Sequence, residues 1–183
     1  MSGAAEVAAE TAAETGPPGS DPPWLAPASQ LWVERILAGH QQAFGQPLLA
    51  GLPGAPADGG TTGGATRQAA QELFAAATVV LAHDGGVDPR FVFANRAALV
   101  LWRRRWTEMV GLPSRLSAAP AERDERAGAL ARARLGAIRD YAGVRVDSRG
   151  RRFRIEAARL WTLHDARGQP CGQAAAFNRW WWL

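Results

Sequence analysis

From Arg151 onward the apolar residues of this chain recur at every second position, and that period decides what the C-terminal third can be. Phe153, Ile155, Ala157, Trp161 and Leu163 fall on one side, and Arg152, Arg154 and Glu156 on the other. Successive side chains of a strand point to opposite faces, so Arg151 to His164 reads as a long strand with one buried face. Its neighbours supply pairing partners. Tyr141 to Asp147 reads as a strand leading into the tight turn Ser148-Arg149-Gly150, and the turn Asp165 to Gln169 leads to a final strand from Cys171 to Trp180. Upstream, Thr78 to Ala82 is a buried strand, Asp84-Gly85-Gly86 a turn, and Arg90 to Ala94 a second strand that completes a hairpin.

Elsewhere the period is helical. Ser29 is a candidate cap for a helix running to about Phe44, with Trp32, Ile36, His40 and Phe44 one above another and Val33 and Leu37 widening the stripe. Gly45 is a suitable stop. Thr66 is a candidate cap for a second helix carrying Ala69, Ala70, Leu73, Phe74 and Ala77. Asn95 follows a strand and precedes Leu99, Val100 and Trp102, which suits an N-cap. Pro120 opens a further helix with Glu122, Asp124 and Glu125 early and Arg132 and Arg134 late, the polarity that a helix dipole favours.

Composition sets the outer limits. The chain of 183 residues is long enough for one ordinary domain and a tail. Its longest unbroken apolar run is the six residues from Ala97 to Trp102, against the ~20 that a membrane-spanning helix requires. The N-terminus carries no secretory signal pattern, so a cytoplasmic protein is expected. Cys171 is the single cysteine, which rules out an internal disulfide. Residues 1–28 hold almost nothing large to bury and read as a disordered acidic tail. The stretch 50–64, with six glycines and two prolines, reads as a mobile linker after the first helix, leaving 65–183 as the folded domain. All 21 basic residues are arginine, which fits a G- and C-rich genome better than a functional choice, so the high pI is a weak guide to partners.

Two strands, an intervening helical run and three antiparallel strands is the element order of a PAS domain. More specifically, the segment from Leu73 to Trp180 resembles the MEKHLA domain family, a PAS-like group of bacteria and of certain plant homeodomain-leucine zipper regulators. The residues that carry the resemblance are Val79-Val80-Leu81-Ala82-His83, Asp88-Pro89, Asn95 with Ala98-Leu99 and Leu101-Trp102, and Leu112-Pro113-Ser114-Arg115-Leu116. The series continues with Glu122-Arg123-Asp124-Glu125-Arg126, Asp140-Tyr141-Ala142-Gly143-Val144-Arg145, Gly150-Arg151-Arg152-Phe153, Trp161 and Gly172-Gln173-Ala174-Ala175. The resemblance implies an α+β fold: a five-stranded antiparallel sheet with helices on one face enclosing a small cavity, preceded here by an N-terminal helix. Two features depart from the family pattern, Arg103-Arg104-Arg105 after Leu101-Trp102 and the glycine-rich linker.

Within that fold several residues are candidates for function. Arg159 shares parity with Phe153, Ile155, Trp161 and Leu163, so it reads as an inward guanidinium needing an anion or hydrogen bonds. It would meet a ligand in the cavity, with Asn95, Tyr141 and Trp161 as companions, unless a bulge near Ala157-Ala158 turns it outward. In PAS strand order His83, His164 and Cys171 come to one end of the sheet, and two imidazoles with a thiolate suit copper or zinc. The same groups, with Arg159, would serve a small metal- or ligand-dependent enzyme acting on a metabolite. A flavin adduct is not expected, because the cysteine lies in the last strand rather than in the middle helices; conventional haem is not expected either, since residues 120–136 contain no histidine.

Arg103 to Arg105 beside Trp102 and Trp106 read as a solvated helix face, so nucleic acid is not an expected partner. Trp180-Trp181-Trp182 cannot all be buried on one face of a strand, which points to an exposed aromatic interface. The expectation is a free-standing sensory or ligand-binding module, dimeric through that end or packed there against the helix at 29–44. Its partner would be a small molecule or a protein, and no membrane is expected.

Overall fold

The computed structural model describes residues 21–49 and 63–183. The tail over 1–20 and nearly all of the linker expected at 50–64 lie outside the described residues. The elements are α1 (Pro27–Phe44), α2 (Gly63–Ala75), β1 (Val79–Asp84), β2 (Phe91–Ala94), α3 (Arg96–Trp102) and α4 (Trp106–Met109). Short 3-10 turns at Ser114–Ser117 and Pro120–Glu122 lead to α5 (Arg123–Leu135). The chain ends in β3 (Ile138–Val146), β4 (Arg152–His164), β5 (Pro170–Phe177) and β6 (Arg179–Trp182). Among the described residues no helix is long and apolar enough to cross a membrane.

The strands form one antiparallel sheet in the order β2-β1-β5-β4-β3, with β6 pairing the first half of β4. This is the expected PAS-like α+β architecture with a sixth strand added. The addition has a local cause. Ala157 sits in the left-handed region at φ +50°, a conformation that costs a non-glycine residue about 1–2 kcal/mol. The kink reverses the side-chain alternation of β4: Phe153, Ile155, Ala158 and Leu160 are buried, whereas Ala157 is exposed. On the partner side the pairing breaks at Asn178. Arg159 to His164 therefore pair with β5, and Phe153 to Glu156 with β6.

The bulge divides the duties of β4 between two helical layers. Thr162 donates its hydroxyl to the Ala133 carbonyl of α5 at 3.1 Å, so the Leu160 and Thr162 side faces α5. Trp161 points the other way and donates Nε1–H to the Ile36 carbonyl of α1 at 3.2 Å. Helix α1 thus covers the second face of the sheet with buried Val33, Ile36, Gly39, His40 and Phe44. Gly39 permits the close approach, because a Cβ there would lie 3.0 Å from Trp161 Cδ1 and 3.1 Å from the Thr162 carbonyl.

Two helix caps expected from the sequence fall elsewhere, and the tail is shorter than expected. Helix α1 begins at Pro27, and Ser29 instead donates its hydroxyl to the Pro23 carbonyl at 2.7 Å. Helix α2 begins at Gly63, and Thr66 donates to Glu34 Oε1 at 2.8 Å. The tail does not extend to residue 28. Pro23–Leu25 form a 3-10 turn whose Trp24 ring stacks on Phe74 at 3.7 Å between centroids and 3° between planes. Two large adjacent apolar residues docked on α2 are enough to order this segment, and Pro23, first in the turn, restricts its backbone.

Candidate functional site

The sheet and the α5 side enclose a cavity of about 50 Å3, counted as space open to the centre of a water molecule. Its apolar walls include Leu81, Phe91, Trp102, Ile155, Leu160 and Phe177. The polar lining side chains are His83, Ser117, Tyr141, Arg145 and Gln173, and among the described residues no aspartate or glutamate lines it. Ser117 donates its hydroxyl to the Ser114 carbonyl at 2.8 Å, and the His83 Nδ1 meets the Asp84 carbonyl at 2.7 Å. A carbonyl can only accept, so His83 carries its proton on Nδ1.

Tyr141 and Arg145 are the pair with the most chemistry. Both lie on β3, two steps of alternation apart, and both are buried, at 6% exposure each. Arg145 Nη2 donates to Tyr141 Oη at 2.7 Å, and Nη1 donates to the Val144 carbonyl at 2.7 Å. Gly143 lies between them on the same side of the strand. A Cβ there would sit 2.5 Å from Tyr141 Oη, so only glycine lets the ring lie along β3 to reach the guanidinium.

The residues expected to share the cavity part company. Tyr141 lines it; Asn95, Arg159 and Trp161 do not. Asn95 Oδ1 accepts from Ala98 N at 3.1 Å as the cap of α3 and from Val80 N at 3.0 Å. Its Nδ2 donates to the Thr78 and Ala76 carbonyls at 2.7 and 3.1 Å, which ties the ends of α2, β1 and β2 into one knot. The bulge at Ala157 sends Arg159 and Trp161 to the α1 side. There Arg159 Nη1 donates to His40 Nε2 at 2.8 Å, a partner that parity arguments on β4 alone could not supply.

His83, His164 and Cys171 do not assemble either. Among the described residues no three of His, Cys, Asp and Glu are grouped to hold a metal. His83 faces the cavity, whereas His164 borders a separate groove with Gly39, Gln42 and Thr162. The thiol of Cys171 is influenced by Arg35 of α1, and burial raises its pKa above the usual thiol value. A half-buried thiol whose pKa is raised is a poorer nucleophile and a poorer metal ligand than an ordinary one. The pairing of β4 with β5 slips between Leu163 and His164, opposite Cys171, so sharing one end of the sheet does not bring the three side chains together.

Sequence reading missed Arg145. Its signal was the alternation Tyr141, Gly143, Arg145, masked because Val144 and Val146 make the opposite parity look like the buried one. The surface at the end of the chain came out as expected, with Trp180 37% and Trp181 42% exposed. Trp180 and Trp182 do not pack on α1; they border a groove of about 600 Å3 whose other wall comes from Ala75 to Ala77 and α3. Arg103 joins this edge, 5.6 Å above the Trp182 ring and paired with Asp147 at 3.2 Å.

A curved antiparallel sheet with short helices and an enclosed cavity on one side defines a PAS-type domain. The chain is similar to the PAS domain of a protein from Colwellia psychrerythraea at 13% identity, over 60% of this chain and 92% of that one, with a TM-score of 0.54. A light-oxygen-voltage domain studied with a flavin analogue scores 0.49 at 18% identity, over 63% of this chain and 84% of that one. An RNA-binding light-oxygen-voltage receptor scores 0.48 at 20% identity, over 58% of this chain and 30% of that one. No curated protein matches the sequence. The family is nevertheless decided: residues 30–182 match the MEKHLA domain, and the chain belongs to that family.

Proposed function

We propose that this chain is a sensory module that takes a small molecule into the cavity beneath the sheet and signals its presence by protein contact, as a homodimer. The observation that carries the reading is the chamber beneath the sheet, apolar for most of its wall and holding a few converging polar groups, which is the usual make-up of a small-molecule site. Ring contacts lead from it to the surface. Trp102 lines the chamber and meets Phe153 at 5.0 Å between centroids; Phe153 in turn meets Trp182 at 5.5 Å, and Trp182 meets Trp180 at 5.5 Å.

Strand β6 supports the dimer reading. It pairs with β4 on one side, through Phe153↔Trp182 to Glu156↔Arg179. Its opposite edge borders the groove, and an edge strand flanked by exposed tryptophans is a template for a second copy.

Native mass spectrometry of the full chain, with light scattering on the same sample, tests both parts. A small-molecule mass lost on denaturation, or a ligand that raises the melting temperature saturably, is the expected result. A bare mass with no stabilising ligand across a metabolite panel would sink the sensory reading. A monomer at high concentration that stays monomeric with ligand would sink the dimer alone.

A further inference from the structure

We infer that the cavity receives the carboxylate of a short-chain organic acid, bound by the Arg145 guanidinium with the Tyr141 hydroxyl beside it. This rests on the cavity being the sensory site proposed above. The Arg145 side chain is a guanidinium cation, and burying a cation without a counter-charge is costly. Its hydrogen bonds go to two neutral oxygens, those of Val144 and Tyr141. Among the described residues no carboxylate pairs with it. A guanidinium has five N–H groups in a planar fork, so donors remain for a bidentate acceptor.

Tyr141 contributes in the same direction. Its oxygen accepts from Arg145 Nη2, which leaves its own O–H to donate. The pair is thus a donor-only corner in a chamber lined by no acid among the described residues. The other walls select what the anion is attached to. Leu81, Phe91, Ile155, Leu160 and Phe177 can bury carbon but cannot satisfy the remaining oxygens of phosphate or sulfate. About 50 Å3 of water-centre space suits an acid of roughly four to six non-hydrogen atoms.

The test compares acids with their uncharged isosteres on the full chain, by calorimetry and thermal unfolding at constant ionic strength. Propionate and butyrate are set against propionamide and butyramide, with inorganic phosphate as a third arm. Saturable binding of the acids, at least about tenfold tighter than the amides, is expected. Arg145→Gln should abolish that preference, and Tyr141→Phe should weaken acid binding several-fold while preserving the ring packing. Equal binding of acid and amide overturns the carboxylate assignment and leaves the ligand-binding reading standing; so does binding of phosphate in preference to the acids. Binding of neither acid nor amide overturns the assignment, and native mass spectrometry then shows whether a different ligand keeps the sensory reading. If Arg145→Gln fails to fold, Tyr141→Phe and the acid-to-amide ratio of the unaltered chain decide the matter.

Discussion

Arg159 Nη1 donates to His40 Nε2 at 2.8 Å, joining two residues 119 positions apart across the interface of α1 and β4. His40 Nδ1–H donates to the Gln46 carbonyl at 2.9 Å, and Nε2 accepts from the arginine, so the ring is neutral. Burial is the main reason, and the Arg159 charge the second, that the His40 pKa is pushed down from 6.5 to about 4. Arg159 is only partly buried, so solvent and the neutral imidazole acceptor together serve it without an anion.

That pair makes stability depend on pH. Unfolded His40 takes up a proton near pH 6.5, whereas folded His40 resists until about 4. Its contribution is therefore complete above pH 6.5 and is lost as pH falls toward 4, by up to about 3 kcal/mol. Denaturant titrations across this window should show that slope, and His40→Gln should flatten it. An unchanged slope in the variant would show that His40 titrates normally in the folded protein.

Asn95 is expected to matter for stability rather than for ligand affinity. Asn95→Ala removes an acceptor shared by Val80 and Ala98 and a donor shared by the Thr78 and Ala76 carbonyls. Leaving these groups without partners in a buried site should cost about 3 kcal/mol or more. Chemical denaturation measures the loss, and any ligand found for the cavity should bind the folded fraction with unchanged affinity.

Ala157 offers a change in the opposite direction. Glycine relieves the left-handed strain at φ +50° but adds freedom to the unfolded chain. Ala157→Gly should raise stability by about 0.5–1 kcal/mol, and Ala157→Val should lower it. A melting-temperature comparison of the three proteins suffices; a destabilised glycine variant would mean that β4 does not bend there in solution.

Trp24 tests whether the segment before α1 belongs to the folded unit. Trp24→Ala removes the stack on Phe74 and the Nε1–H bond to Gln71 Oε1 at 3.3 Å. A loss of about 3 kcal/mol is expected. Stability within a few tenths of the parent would detach residues 23–25 from the core.

What the sequence determined by itself is the set of patterns that local physics imposes. Alternation exposed β4 and the strands around it, and the stripe through Trp32, Ile36, His40 and Phe44, widened by Val33 and Leu37, marked the covered side of α1, where Trp32 and Leu37 stay half-buried. Asn95 between a strand and an apolar helix announced its cap, and three consecutive tryptophans announced an exposed edge. The order of elements and the family motifs led to the PAS-like fold. Tertiary structure alone decided which face each side chain serves. A single left-handed residue at Ala157 reverses parity, and with it Arg159 and Trp161 leave the cavity for the α1 side. In β3 the half-buried Val144 and Val146 take one face while Tyr141 and Arg145 are buried on the other. Side-chain period is local, but the choice between two faces depends on which layer packs there, and that is set by contacts between residues far apart in the chain.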